Sequence, residues 1–369
     1  MLKRIISGTC LVLLCLAGGL FFLQKSKSVS NNHLKLTTEY GDFDITEPVL
    51  IDLINDKFVQ RLKNIRQYGV NYYTVKNPDY NRYDHSVGVF LLLRKYGASL
   101  NEQIAGLLHD VSHTVFSHVG DWMFKTSHLG NDSYQDTIHE EFINKTTIPA
   151  LLKKHNISVS DILHKSEAFV LLEQQYPDIC ADRLEFNLKG GFIEDLLTQN
   201  DIDLILNNLI FENGKWIFID ISSAKKFAKV PLVLMQKSWS SKEEFVINEW
   251  IAQAMQRAVE IKELTLDEIS FSIDDLVWNK LLASKDKTIQ TLMNKSIHYK
   301  DYIKCVKQDD YDFLAKNKFR GIDPLIKTEN GLVRLTELDK GFKTEFNEVK
   351  QCMESGWRLK FAGVESFAC

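Results

Sequence analysis

Six of the chain's ten histidines fall between His85 and His139, and two of them stand in strongly apolar text. Val87, Val89, Leu91, Leu92 and Leu93 follow His85, and Ile104, Leu107 and Leu108 lead into His109-Asp110. Runs of this kind predict helices that face a core, so the fold must bury imidazoles and carboxylates beside aliphatic side chains. Such groups sit in a core when they are paired or coordinate a metal. An adjacent His-Asp pair cannot point one way on a helix, but at a helix end it can straddle an ion whose other ligands come from other helices. That requires a further histidine and a further carboxylate. His85 on the preceding helix supplies one, and Asp182, in Cys180-Ala181-Asp182-Arg183-Leu184-Glu185-Phe186, supplies the other. Imidazole nitrogens with carboxylate oxygens suit one divalent transition metal ion of the Mn, Fe, Zn, Ni or Co type.

The 369 residues are 44% hydrophobic and 25% charged, which excludes disorder as the default state. With 45 basic against 49 acidic residues the net charge is 45 − 49 = −4, so no overall cationic surface drives nucleic-acid binding and any phosphate site is local. The six cysteines form no C-x-x-C pair, which excludes a zinc ribbon or redox motif. Lys3 and Arg4 precede an apolar run from Ile5 to Leu23, so residues 1–24 are expected to be a signal peptide or an N-terminal membrane anchor, with the orientation open.

A polar linker is expected over 25–39, with the globular part beginning near Tyr40. From Pro48 the stripe Val49, Leu50, Leu53, Ile54, Phe58, Leu62 and Ile65 reads as helix, and helix is the default for about the next 150 residues. Leu209 to Phe211, the turn Glu212-Asn213-Gly214-Lys215 and Trp216 to Ile221 read as a hairpin. Helical text resumes at Glu243 to Leu264 and Ile273 to Leu282, and the stretch from Gly321 to the end reads as a mixed, strand-bearing region. The fold class expected is mainly α, with one helical domain over 40–285 and an α+β C-terminal region over 286–369.

The residues also resemble a known family. The spacing of His85, His109-Asp110 and Asp182 resembles the HD superfamily, and the finer text is similar to its dNTP triphosphohydrolase (SAMHD/dGTPase-like) branch. The resemblance runs through Gln60-Arg61-Leu62-Lys63 with Ile65, Gln67 and Gly69, through Arg82-x-x-His85-Ser86-x-Gly88-Val89, and through Ala105 to Asp121 without a gap. His139-Glu140 and Asp182-Arg183 complete it. It implies an HD helical core with metal ligands His85, His109, Asp110 and Asp182. It also implies that Arg82 holds a substrate phosphate and that His139 does acid/base work, supported by His113 and Asp121. The activity implied is hydrolysis of a phosphoester or phosphoanhydride, with a nucleotide as substrate and a homo-oligomer as a possible assembly.

One departure stands out. The branch has a sugar-contacting Asp eight residues past the last ligand, where this chain has Gly190. The deoxynucleotide specificity therefore stays open, and so does a non-hydrolytic metal- or nucleotide-binding sensor or scaffold. A two-metal phosphodiesterase or oxygenase would need extra ligands, for which His113, His139 and His164 are the candidates. Outside these motifs, His33, His128, His155, His164 and His298 read as ordinary core or surface histidines. His118 reads as structural, and His113 reads equally as an orienting neighbour of the ligands.

Overall fold

The computed structural model of the protein describes residues 29–30, 33–124, 133–163, 169–238, 241–306, 310–316 and 318–361. The expected targeting segment at 1–24, His128 and His164 lie outside them. Among the described residues no helix is long and apolar enough to cross a membrane. The fold is mainly helical with small sheets, as expected.

A hairpin comes near the start, its first strand also paired with the two-residue strand Val29–Ser30. β1 (His33–Thr38) pairs antiparallel with β2 (Gly41–Ile45), and Leu34 and Ile45, opposite each other, are fully buried. This corrects the linker expected over 25–39. Leu34 and Leu36 alternate with His33, Lys35 and Thr37, the period of a half-buried strand, but so short a strand is easily lost in polar text.

α1 (Pro48–Asn55) starts on Pro48 and buries Val49, Leu50, Leu53 and Ile54. α2 (Arg82–Lys95) is capped by Asn81, whose side chain accepts the Asp84 amide, and every residue from His85 to Leu93 is buried. A helix buried all round belongs at the centre of the core. α3 (Leu100–Leu108), capped by Ser99, packs along it. Two short elements follow, α4 (Val119–Met123) and α5 (Tyr134–Asn144), and then α6 (Ala181–Ile193), which packs on α2 from another side. Two glycines permit these approaches. A Cβ on Gly106 would lie 2.2 Å from Leu93 Cδ1, and one on Gly88 would lie 2.4 Å from Glu185 Oε1.

β3 (Leu209–Glu212) and β4 (Lys215–Phe218) form the expected hairpin, with Asn213 and Gly214 both at positive φ as its turn requires. The second strand ends at Phe218, short of the expected Ile221. Asp220 there caps a further helix, α7 (Ile221–Lys237). Pro231 inside α7 hides its pattern from sequence reading, because proline normally ends a helix. α8 (Lys242–Glu260) packs against α4 and against α9 (Lys287–Ile297), while β5 (Leu325–Thr328) joins β4 in parallel and is followed by β6 (Gly331–Arg334). Both the helix pair and the sheet cross the boundary expected at 285–286.

Candidate metal centre and active site

His85 stands in the first turns of α2, its Nδ1 2.5 Å from Glu185 Oε2. Glu185 is fully buried and also accepts from the Tyr80 hydroxyl at 2.6 Å and the Tyr40 hydroxyl at 2.9 Å. A carboxylate in such company accepts, so Nδ1 carries a proton, and Nε2 is the atom that offers a lone pair whenever the ring is neutral. His109 is fixed in the same sense. It caps the end of α3, with Nδ1 2.7 Å from the Gly106 carbonyl oxygen. The two Nε2 atoms face each other 3.2 Å apart. Asp182, in the first turn of α6, places Oδ1 3.0 Å from His85 Nε2 and 3.7 Å from His109 Nε2.

These three ligand atoms lie within 4.8 Å of one another. An ion at about 2.0–2.1 Å from each imidazole nitrogen holds two adjacent nitrogens roughly 3 Å apart, so the donor set fits a divalent transition metal. Among the described residues this is the one such His/Asp group.

Asp110 follows His109 beyond the helix end, as the sequence required. Its Oδ1 lies 3.5 Å from His109 Nε2 and its Oδ2 3.7 Å from His85 Nε2. The same carboxylate binds Arg82 Nη1 at 2.5 Å and His113 Nε2 at 3.2 Å. Arg82 is buried, its Nε donating to Ser117 Oγ at 2.7 Å, while Nη2 has no protein partner. So the structure brings Asp110 beside the three-ligand group rather than into it, and turns Arg82 onto Asp110. His113 is committed to Asp110 as well.

Charge sorts these groups. Burial works against ionising Asp182, yet hydrogen bonds from His109 and His85 hold it well below the usual carboxylate range. Burial likewise opposes charge on His85, but Glu185 and then Asp182 outweigh it and raise the ring to about 10; His109 is raised by Asp110 and Asp182 against the same burial. The pocket thus draws a cation, proton or metal, to the paired Nε2 atoms. His113 goes the other way: burial, followed by the charge of Arg82, lowers it to about 3 and keeps it neutral.

His139, on α5, lies 2.8 Å through Nδ1 from Ser112 Oγ, and Ser112 is two residues past Asp110. Asp121 accepts the Tyr134 amide at 2.6 Å and pairs with His118 at 3.2 Å, so it anchors the start of α5, the helix bearing His139. Arg183 donates to the Asp178 and Gln174 carbonyls and stacks on Tyr176 at 3.8 Å, bracing the loop that leads into Asp182. At Gly190 a Cβ would lie 3.1 Å from Leu234 Cδ1 and 3.9 Å from the Tyr68 hydroxyl.

Sequence reasoning missed Tyr40, Tyr80, Glu185 and Ser112. Glu185 carries a signal, since it lies three residues after Asp182 on the same helix face. The tyrosines carry none, because they meet Glu185 only through the tertiary fold.

The HD domain family model matches residues 82–168. The chain is 34% identical to YdhJ of Bacillus subtilis over 288 residues, 78% of this chain and 86% of that protein. It is 37% identical over 188 residues to the metal-dependent phosphohydrolase cns2 of Cordyceps militaris, 51% of this chain and 53% of that one. The deoxynucleoside triphosphate triphosphohydrolase SAMHD1 of Danio rerio is 27% identical over 185 residues, 42% of this chain and 30% of that protein. A solved phosphohydrolase of Bacteroides thetaiotaomicron shares the fold with a TM-score of 0.67 at 15% identity, over 89% of this chain and 100% of that one. The chain belongs to the HD-domain family of metal-dependent phosphohydrolases.

Proposed function

We propose that the chain hydrolyses a phosphoester or phosphoanhydride bond of a nucleotide, using one divalent transition metal ion held by His85, His109, Asp110 and Asp182. The observation that carries this reading is the pair of Nε2 atoms 3.2 Å apart beside Asp182, each of which offers a lone pair when its ring is neutral. Bound there, such an ion lowers the pKa of a coordinated water toward neutrality and polarises a phosphoryl oxygen. His113, held neutral, donates Nε2–H to Asp110 and keeps that carboxylate turned toward the ligands. Arg82 supplies a planar cation beside the ligands, and the Nη2 hydrogens left over from Asp110 and Ser117 are its contact for a phosphate oxygen. His139 delivers a proton to the leaving oxygen, and Asp121 supports it by fixing the first turn of its helix.

The nucleotide rests on the motif resemblance and on the SAMHD1 relative. The sugar is a separate matter, since Leu234 crowds position 190 and leaves little room there for a hydroxyl-reading carboxylate. The test is a panel of ribo- and deoxynucleotides assayed with Mn, Fe, Co, Ni and Mg. Turnover that Asp110→Ala abolishes supports the proposal; bound metal without turnover of any nucleotide favours the sensor instead. Membrane attachment through residues 1–24 is a further proposal, tested by fractionating cells that express the full chain or a chain lacking that segment.

A further inference from the structure

We propose that Ser112 is the positioning residue for His139: it fixes the ring as the Nδ1–H tautomer, so that Nε2 is the atom that gives and takes the proton. The proposal rests on the acid/base role given to His139 above, but its geometry is independent of any substrate.

Ser112 is fully buried and sits on the loop that carries His109 and Asp110. Its Oγ has three close partners: Gln135 Oε1 at 2.9 Å, the Gln135 carbonyl at 3.2 Å and His139 Nδ1 at 2.8 Å. A hydroxyl has one proton to give. The Gln135 amide has its orientation set, because its Nε2 donates to Asp136 Oδ1 at 2.8 Å and Asp136 is itself held by Ser133 in a capping box. Both Gln135 oxygens are therefore acceptors. Two oxygens 2.9 Å apart need a proton between them, and only Ser112 can provide it. Its lone pairs remain for His139, whose Nδ1 must donate.

The consequence is directional. With Nδ1–H spent on Ser112, a neutral His139 presents a lone pair at Nε2, and the imidazolium presents Nε2–H to a leaving group. The contact also ties α5 to the ligand loop, so the proton donor keeps a set direction relative to the metal ligands. A neutral hydroxyl achieves this without drawing charge onto the ring.

The test uses the full chain labelled with 15N-histidine and loaded with zinc as a diamagnetic probe. Ring 15N shifts are assigned to His139 with His139→Gln. The expected result is a neutral His139 protonated at Nδ1 in the wild type, and a mixture with the Nε2–H form in Ser112→Ala at unchanged zinc content. An Nε2–H ring in the wild type overturns the proposal, and so does an Ser112→Ala spectrum identical to it. Should Ser112→Ala misfold, Ser112→Gly removes the same hydroxyl, and the wild-type spectrum decides on its own. On the nucleotide panel Ser112→Ala should lower kcat on the order of 10–100-fold with KM unchanged, and Ser112→Thr should restore part of it. A fall in activity matched by loss of zinc would count against the positioning role. Because the tautomer is read without turnover, failure of the nucleotide reading leaves this test intact.

Discussion

His85 and His139 are both held through Nδ1, one by the carboxylate of Glu185 and the other by the hydroxyl of Ser112, and the two partners make different groups of them. Glu185 is a buried carboxylate, and with Asp182 and Asp110 it lifts His85 to about 10 despite the burial that opposes charge there. The result is an electron-rich Nε2 that attracts a cation. Ser112 only points its ring. A metal ligand gains from a charged partner, whereas a group that must both release and recover a proton is served by a neutral one.

That contrast can be broken most directly at the ligand. His85→Ala removes one of the two paired nitrogens, so elemental analysis should find metal at background and turnover abolished; metal retained in this variant would sink the centre. On the other side, His139→Ala should keep its full metal content while turnover slows on the order of 10²–10⁴-fold. Metal lost together with activity would show that the two histidines do one job. Glu185→Gln sharpens the comparison because it keeps shape and removes charge. Metal affinity, measured in competition with a chelator, should fall about 10–100-fold, with the His139 tautomer unchanged.

The smallest effect is read per pH unit. His85 is raised, so its protonated form is favoured below about 10, and a metal needs the neutral ring. Affinity should therefore rise with pH across the neutral range, about tenfold per unit for one displaced proton, and the slope should flatten in Glu185→Gln. A pH-independent affinity in the wild type would contradict the role given to Glu185.

The grouping of His85, His109 and Asp182 was legible before the fold because these residues are written into long local motifs. His109-Asp110 falls at a helix end, where an adjacent pair can diverge around one point, and Asp182 opens the helix that packs on α2. The reading was less successful where the signal is tertiary. Arg82 was expected to face a phosphate, and no sequence pattern shows that its Nε and Nη1 turn to Ser117 and Asp110 and leave Nη2 over. Tyr40 is the tip of a hairpin whose first strand had passed for linker, and only the docking of that hairpin brings its hydroxyl to Glu185. α7 was missed because Pro231 masks a helix that Asp220 nonetheless starts.

Gly88 carries a consequence for engineering. It is the point on α2 where a single methyl group would meet Glu185, the residue that sets the proton on His85. The distance between two helix axes is thus converted into the electron-donating strength of His85 Nε2. Gly88→Ala adds no charge and touches no ligand, yet it should act as a dial on metal affinity, turned by steric bulk alone.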